Sequence, residues 1–236
     1  MNTIDKQFIY ALGDTHTLLY DDLLSYFNMK DFVLIHVGDS GEGYHHHLRD
    51  RSAIKKLDDF CKENNGQILT TRGNHANPDF YFSDKHWTKD FQHVTFVKDY
   101  SRYLINGKVF LFAGGATSID RTYNIENISW WRNEKFFLPP DYEKLEPCDV
   151  LVTHSSPLDA YPYDGFSKIS GWFKNDPTLK QELIQERQEI RNLVNVVNPR
   201  INIYGHFHES VSEYVDHTWY RCLDINEIID LTNYLK

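Results

Sequence analysis

The chain has 236 residues, of which 41% are hydrophobic and 15% aromatic, enough for one α/β domain spanning residues 1–236 with a real core. A formal net charge of −9 and a pI near 5.7 argue against a broad basic footprint for duplex nucleic acid. No apolar run is long enough to span a membrane, residues 1–6 lack a signal-peptide pattern, and Cys61, Cys148 and Cys222 show no close pairing, so a soluble cytoplasmic protein with free thiols is expected.

In chain order, short β-branched and aromatic runs predict strands over Phe8 to Leu12, Phe32 to Val37, Gln67 to Thr70, Val109 to Ala113, Val150 to Thr153 and Ile201 to Tyr204. Such near-continuous apolar strands suit sheets covered on both faces. Ala53, Ile54, Leu57, Phe60 and Cys61 form one helical face, stopped by Asn64-Asn65-Gly66. The run His45-His46-His47 reads as the exposed start of that helix. Leu179, Leu183, Ile190, Leu193, Val194 and Val197 form a second helical face, which ends before Pro199. Val211 to Val215 and Thr218 to Leu223 flank Asp216-His217 as a β-hairpin. The segment from Ile119 to Pro140 has no clean period and reads as a functional loop.

Five of the strands lead into Asp, Asn or His: Gly13-Asp14-Thr15-His16, Gly38-Asp39, Gly73-Asn74-His75, Thr153-His154 and Gly205-His206-Phe207-His208. In extended chain, residues i and i+2 point the same way, so Asp14 and His16 are expected to face one side, as are His206 and His208. Carboxylate, amide oxygen and imidazole together make a ligand set for two divalent ions, and the lack of thiolate favours Mn, Fe or Zn. A single Asp-x-His or Gly-Asp is common at turns. The order of all five, each after an apolar run, is much harder to reach by chance.

That order resembles the calcineurin-like metallophosphoesterase superfamily, and the matching motifs run from residue 13 to residue 208. The resemblance implies an α/β fold: a four-layer β-sandwich of two mixed sheets flanked by helices, with a dinuclear metal centre at one end. It implies that Asp14, His16 and His208 hold one metal ion, that Asn74, His154 and His206 hold the second, and that Asp39 bridges them. His75 would stand beside the centre, at the scissile phosphate or its leaving group. Many members read Gly-Asp-x-x-Asp-Arg-Gly after the second strand, whereas this chain reads Gly38-Asp39-Ser40-Gly41-Glu42-Gly43. Glu42 falls where the second Asp would stand and is expected to orient His75. The missing Arg weakens similarity to the protein-phosphatase branch.

The implied activity is a metal-dependent phosphoesterase with two divalent ions, Mn foremost and Fe or Zn as alternatives. The ions would bind phosphoryl oxygens and acidify a bridging water, and the resulting hydroxide attacks phosphorus. The substrate class is a phosphomonoester of a small molecule, a nucleotide or a phosphoprotein. A phosphodiesterase or nuclease uses the same ligands and is the alternative; a non-catalytic scaffold is the third reading. Arg72, beside Gly73-Asn74-His75, and Arg121, after the glycine-rich loop that starts at Gly114, are candidate phosphate clamps. Trp130-Trp131 can stack an aromatic leaving group or hold a loop, the commoner role for such pairs. With the Gly114 to Arg121 stretch, they also resemble a prokaryotic and phage subgroup of these phosphoesterases.

Overall fold

A computed structural model describes residues 1–16, 29–43, 47–83, 87–163 and 166–235. His45 and His46 lie outside them. Twelve strands and three α-helices are present among the described residues. The strands are β1 (Asn2–Ile4), β2 (Phe8–Leu12), β3 (Phe32–His36), β4 (Gln67–Thr70), β5 (Val94–Phe96), β6 (Arg102–Ile105), β7 (Lys108–Ala113), β8 (Val150–Thr153), β9 (Ile201–Tyr204), β10 (Val211–Val215), β11 (Thr218–Cys222) and β12 (Ile228–Asp230). The helices are α1 (His47–Glu63), α2 (Asp79–Phe82) and α3 (Leu179–Val197).

Two mixed sheets result. One has seven strands in the order β1-β6-β7-β8-β9-β11-β10; the other has five, in the order β12-β2-β3-β4-β5. Strands β2 to β5 run parallel, as do β7, β8, β9 and β11. The pairs β6–β7, β10–β11 and β2–β12 are antiparallel, and β1 adds to the edge of β6 in parallel.

The alternation of side chains across each strand builds four layers. Ile9, Val33, Ile35 and Leu69 of the five-stranded sheet meet Phe110, Phe112, Val150, Val152, Ile201 and Ile203 of the seven-stranded sheet in one central core. The opposite face of the five-stranded sheet (Phe32, Leu34, Ile68) packs on Ile54, Leu57 and Cys61 of α1. The opposite face of the seven-stranded sheet (Leu111, Leu151, Tyr204) packs on Ile190, Leu193, Val194 and Val197 of α3. Double coverage explains the continuous apolar runs: every residue of β3, β8 and β9 is buried. Within β9 the buried Asn202 amide nitrogen is satisfied, donating to Leu151 O and Thr153 Oγ1, both at 3.1 Å, while its Oδ1 has no hydrogen-bond partner.

Both helix stops are as the sequence implies. Asn65 adopts a left-handed φ of 50° after α1, and Asn198 one of 47° before Pro199. Among the described residues no helix is long and apolar enough to cross a membrane. The segment from Ile119 to Pro140 has no strand or α-helix; it holds a short 3-10 turn at Arg121–Tyr123 and an isolated bridge between Glu126 and Trp130.

Candidate metal centre

The loops that carry the five motifs all leave the C-terminal ends of parallel strands: β2, β3 and β4 in one sheet, β8 and β9 in the other. Such ends are where open α/β sheets place their sites. Because the two sheets stack, the loops meet at one end of the sandwich.

Two groups of side chains converge there. In one, Asp14, His16 and His208 bring a ligand atom each to within 4.8 Å of one another; in the other, Asp39, His154 and His206 do the same. The His16 and His208 Nε2 atoms are 2.9 Å apart, and His208 Nε2 lies 3.2 Å from Asp14 Oδ2. Asn74 joins the second group: its Oδ1 is 3.1 Å from His154 Nε2, which is itself 3.2 Å from Asp39 Oδ2.

Backbone bonds between loops hold the carboxylates. The His206 amide donates to Asp14 Oδ2 at 3.0 Å, and the His75 amide to Asp39 Oδ1 at 2.7 Å. The amides of Thr15 and His16 donate to the carbonyl of Asp39. Two glycines make room for this. A Cβ on Gly73 would fall 2.0 Å from Asp39 Oδ1, and one on Gly205 would fall 2.0 Å from Asp14 Oδ1. The Gly in Gly-Asn-His and in Gly-His-x-His is therefore a steric requirement of the carboxylate in the neighbouring loop.

Asp14 and His16 do face one group together, as expected, but the extended-chain argument is corrected for His206 and His208. His16, Asp39, His206 and His208 all have left-handed backbone, with φ of 43°, 57°, 67° and 53°. His206 and His208 consequently go to different groups. Non-glycine residues adopt this region infrequently, and four of those that do so meet at this end of the sandwich.

The donor set fits metal ions. His154 Nδ1 lies 2.9 Å from the Val37 carbonyl and donates to it, which leaves Nε2 facing two oxygens. Those oxygens are acceptors, because Asn74 Nδ2 is spent on Ser118 Oγ at 3.0 Å. Without metal, such a cluster needs a proton on Nε2. Burial opposes a charged ring there, yet Asp39 and Asp14 raise the His154 pKa to about 9. Burial likewise works to raise Asp39, but His154, by charge and hydrogen bond, holds it well below the usual carboxylate range. Cations bound among these atoms would satisfy the same lone pairs. His36, at the end of β3, supports the loops: it is fully buried, its Nδ1 accepts from the Gly38 amide, and burial lowers its pKa to about 3.

His75 stands at the rim, its ring centroid 5.4 Å from that of His16. Glu42 is buried, and its carboxylate accepts from Ser40 Oγ and Tyr81 Oη, tying the Asp39 loop to α2. Burial raises its pKa to about 7.

The two arginines are corrected. Arg72 is fully buried, and its guanidinium donates to Asp99 and to the carbonyls of Asn133, Glu134, Gly114 and Lys135. No N–H is left for a phosphate. Its neighbour Asn74 faces the centre while its own side chain runs the other way. Arg121 donates to Asp176, Glu182 and Thr178, a double ion pair between the loop and the start of α3. Trp130 and Trp131 hold a loop: Trp130 Nε1 and the Ser118 amide both donate to the buried Glu134 carboxylate, and Trp131 is itself buried. Glu134 thereby braces Ser118, and Ser118 fixes the Asn74 amide. The irregular period of this segment hid that chain of contacts.

A cavity of about 390 Å³ opens beside the centre. Asp39, Asn74, His75, His206 and His208 form one side of it. The rest of the lining is mostly apolar, with Asp120, Ser155, Lys168 and Arg187 among it, and includes Phe166 and Trp172, which the sequence reading did not single out.

The calcineurin-like phosphoesterase family model matches residues 9–210, and the chain belongs to that family. It is a metal-dependent hydrolase acting on phosphate esters. Among solved structures, phosphopantetheinyl hydrolase (PptH) from Mycobacterium tuberculosis is 14% identical, with a TM-score of 0.51 over 96% of this chain and 92% of that one. A putative 5'-nucleotidase from Staphylococcus aureus, solved in complex with alpha-ketoglutarate, is 13% identical with a TM-score of 0.49; the match covers 93% of this chain and 49% of that one. No curated protein matches the sequence.

Proposed function

We propose that the chain is a dinuclear phosphomonoesterase. The observation that carries the reading is the convergence of two three-residue groups at one end of the sandwich, with Asp39, His206 and His208 from them lining one cavity together with His75. In this reading Asp14, His16 and His208 would hold one ion, Asn74, His154 and His206 would hold the other, and Asp39 would be available to both. Bound divalent ions supply Lewis-acid charge for the phosphoryl oxygens and an acidified water as nucleophile.

The chain's own residues do the rest. Only Asp14 and Asp39 are anionic among these ligands, so a site with two divalent ions keeps a net charge of about +2 and attracts a phosphate dianion. Val37 O fixes the His154 tautomer and Ser118 fixes the Asn74 amide, so both present lone pairs to the centre. His75, on the cavity wall, gives a proton to the leaving oxygen. Glu42 positions His75 by holding the loop that Asp39 shares with it. The oxygen and nitrogen donor set favours Mn, with Fe or Zn as alternatives. Three free, buried cysteines accord with the cytoplasm.

Monoesters are favoured over nucleic-acid diesters because the site is a pocket without a cationic track. The Lys168 ammonium at its edge is paired with Glu209, and Arg187, whose amino groups donate to the carbonyls of Pro157, Leu158, Ala160 and Pro162, is a single buried cation and not a track. The test is the ratio of Mn-supported rates on 4-nitrophenyl phosphate and bis(4-nitrophenyl) phosphate. A clear monoester preference is expected; a diester preference moves the enzyme to the phosphodiesterase reading.

A further inference from the structure

The cavity beside the centre is lopsided. One side carries the metal-ligand candidates. The rest is dominated by Ile119, Phe166, Ile169, Trp172, Leu183 and Phe207. Two of these grow directly from the centre. Phe207 lies between His206 and His208 in sequence, and its ring centroid is 5.0 Å from that of His206. Ile119 follows Ser118, whose hydroxyl holds Asn74. The apolar wall thus adjoins the metal-ligand candidates His206 and Asn74.

The wall is also braced. Phe207 packs against Tyr161 and Tyr204, with ring centroids 6.3 and 6.1 Å away, and Arg187 sits 5.9 Å from its centroid. Trp172 is held edge-on by Tyr123 at 5.5 Å, and Phe166 by Phe173 at 6.0 Å. Rings fixed in this way form a surface already shaped for a ligand, so little ordering cost attends binding. A cavity of about 390 Å³ matches a metabolite and not an extended polymer.

We propose, resting on the phosphomonoesterase reading, that this wall binds the leaving group, and that the substrate class is the phosphate ester of an apolar, ring-bearing alcohol or phenol of metabolite size. A polyhydroxylated sugar phosphate fits poorly. Most of its hydroxyls would face hydrocarbon and lose hydrogen bonds to water, because Asp120, Ser155 and Tyr161 are the few uncharged or acidic polar side chains of the lining away from the metal-ligand candidates. Of the two cations at the wall, Lys168 is paired with Glu209, and the Arg187 amino groups donate to backbone carbonyls while its buried Nε has no hydrogen-bond partner.

The test is calorimetric binding of two non-hydrolysable phosphonates to the Mn-loaded protein, 2-naphthylmethylphosphonate and methylphosphonate. The wild type is expected to prefer the naphthyl compound by about tenfold or more, as a stacked and buried ring provides. Trp172→Ala is expected to remove most of that preference and leave methylphosphonate affinity unchanged. Ile169→Glu, at a half-buried loop position, is expected to do the same by placing charge on the wall. Equal affinity of the wild type for both compounds overturns the proposal while leaving the phosphoesterase reading intact, as does a preference that survives both substitutions. Failure of both compounds to bind, with no turnover of any ester, overturns the two together.

Discussion

Replacing Gly205 by Ala adds one methyl where the structure has no room for it. The new Cβ would lie 2.0 Å from Asp14 Oδ1 and 3.0 Å from Val37 Cγ2. Ordinary contact is about 3.5 Å or more, so Asp14 must retreat by more than an ångström or the β9 loop must. Either movement breaks the bonds from the His206 amide to Asp14. It also pulls Asp14 from His208 Nε2, now 3.2 Å away. The backbone at Gly205 has no left-handed φ to lose, so the effect is steric alone. Overpacking of this kind costs about 1–3 kcal/mol, a fall in Tm of roughly 2–10 °C for a domain of this size. A displacement of about 1 Å at a reacting centre costs on the order of 100-fold in rate. The assay is kcat/KM on 4-nitrophenyl phosphate with Mn, read beside metal content and thermal unfolding. Gly171→Ala serves as a control, because its Cβ meets nothing within 4 Å. Full metal content and full activity in Gly205→Ala would refute the claim that Asp14 is a fixed ligand held by that contact.

Other outcomes follow from the same geometry. His75→Ala should lower kcat by about 10²–10⁴-fold without releasing metal; unchanged kcat removes His75 from the chemistry. Ser118→Ala frees the Asn74 amide to turn, and equilibrium dialysis should show metal affinity weaker by roughly 10–100-fold; unaltered affinity would mean that the backbone alone orients Asn74. Burial raises the Glu186 carboxyl to about 7, against an ordinary value of 4.5, so the fold favours its neutral form. Its contribution to stability is complete below about pH 4.5 and is lost as pH rises through about 7. Glu186→Gln, which keeps an acceptor for Thr117 Oγ1, should therefore flatten the decline in thermal stability between pH 5 and 8. Parallel profiles for the two proteins would contradict the assigned shift.

The parts of the fold with a two-sided environment were legible in the sequence. Strands β2, β4, β8 and β9 have the bounds that their apolar runs predict, since both faces of each must be buried. The strands β1, β5 and β12 have only three residues each, too few for a period to show. The hairpin between β6 and β7 was available: Asn106-Gly107, with φ of 48° and 75°, is the tight-turn signal for two antiparallel strands. At the centre, residue type and order located the groups, but not the backbone that splits them. The i, i+2 argument assumes extended chain, and left-handed residues at His206 and His208 break it. Arg72 shows the complementary error: nearness in sequence to Asn74 does not fix the direction of a side chain. The apolar wall stayed hidden because Phe166 and Trp172 come from short turns with no periodicity.

The central claim is that two metal ions sit between these side chains. Anomalous diffraction from crystals of the Mn-loaded protein tests it most directly. The account predicts two peaks, one among Asp14, His16 and His208 and one among Asn74, His154 and His206, with Asp39 reaching both. A single peak, or peaks elsewhere, would contradict it.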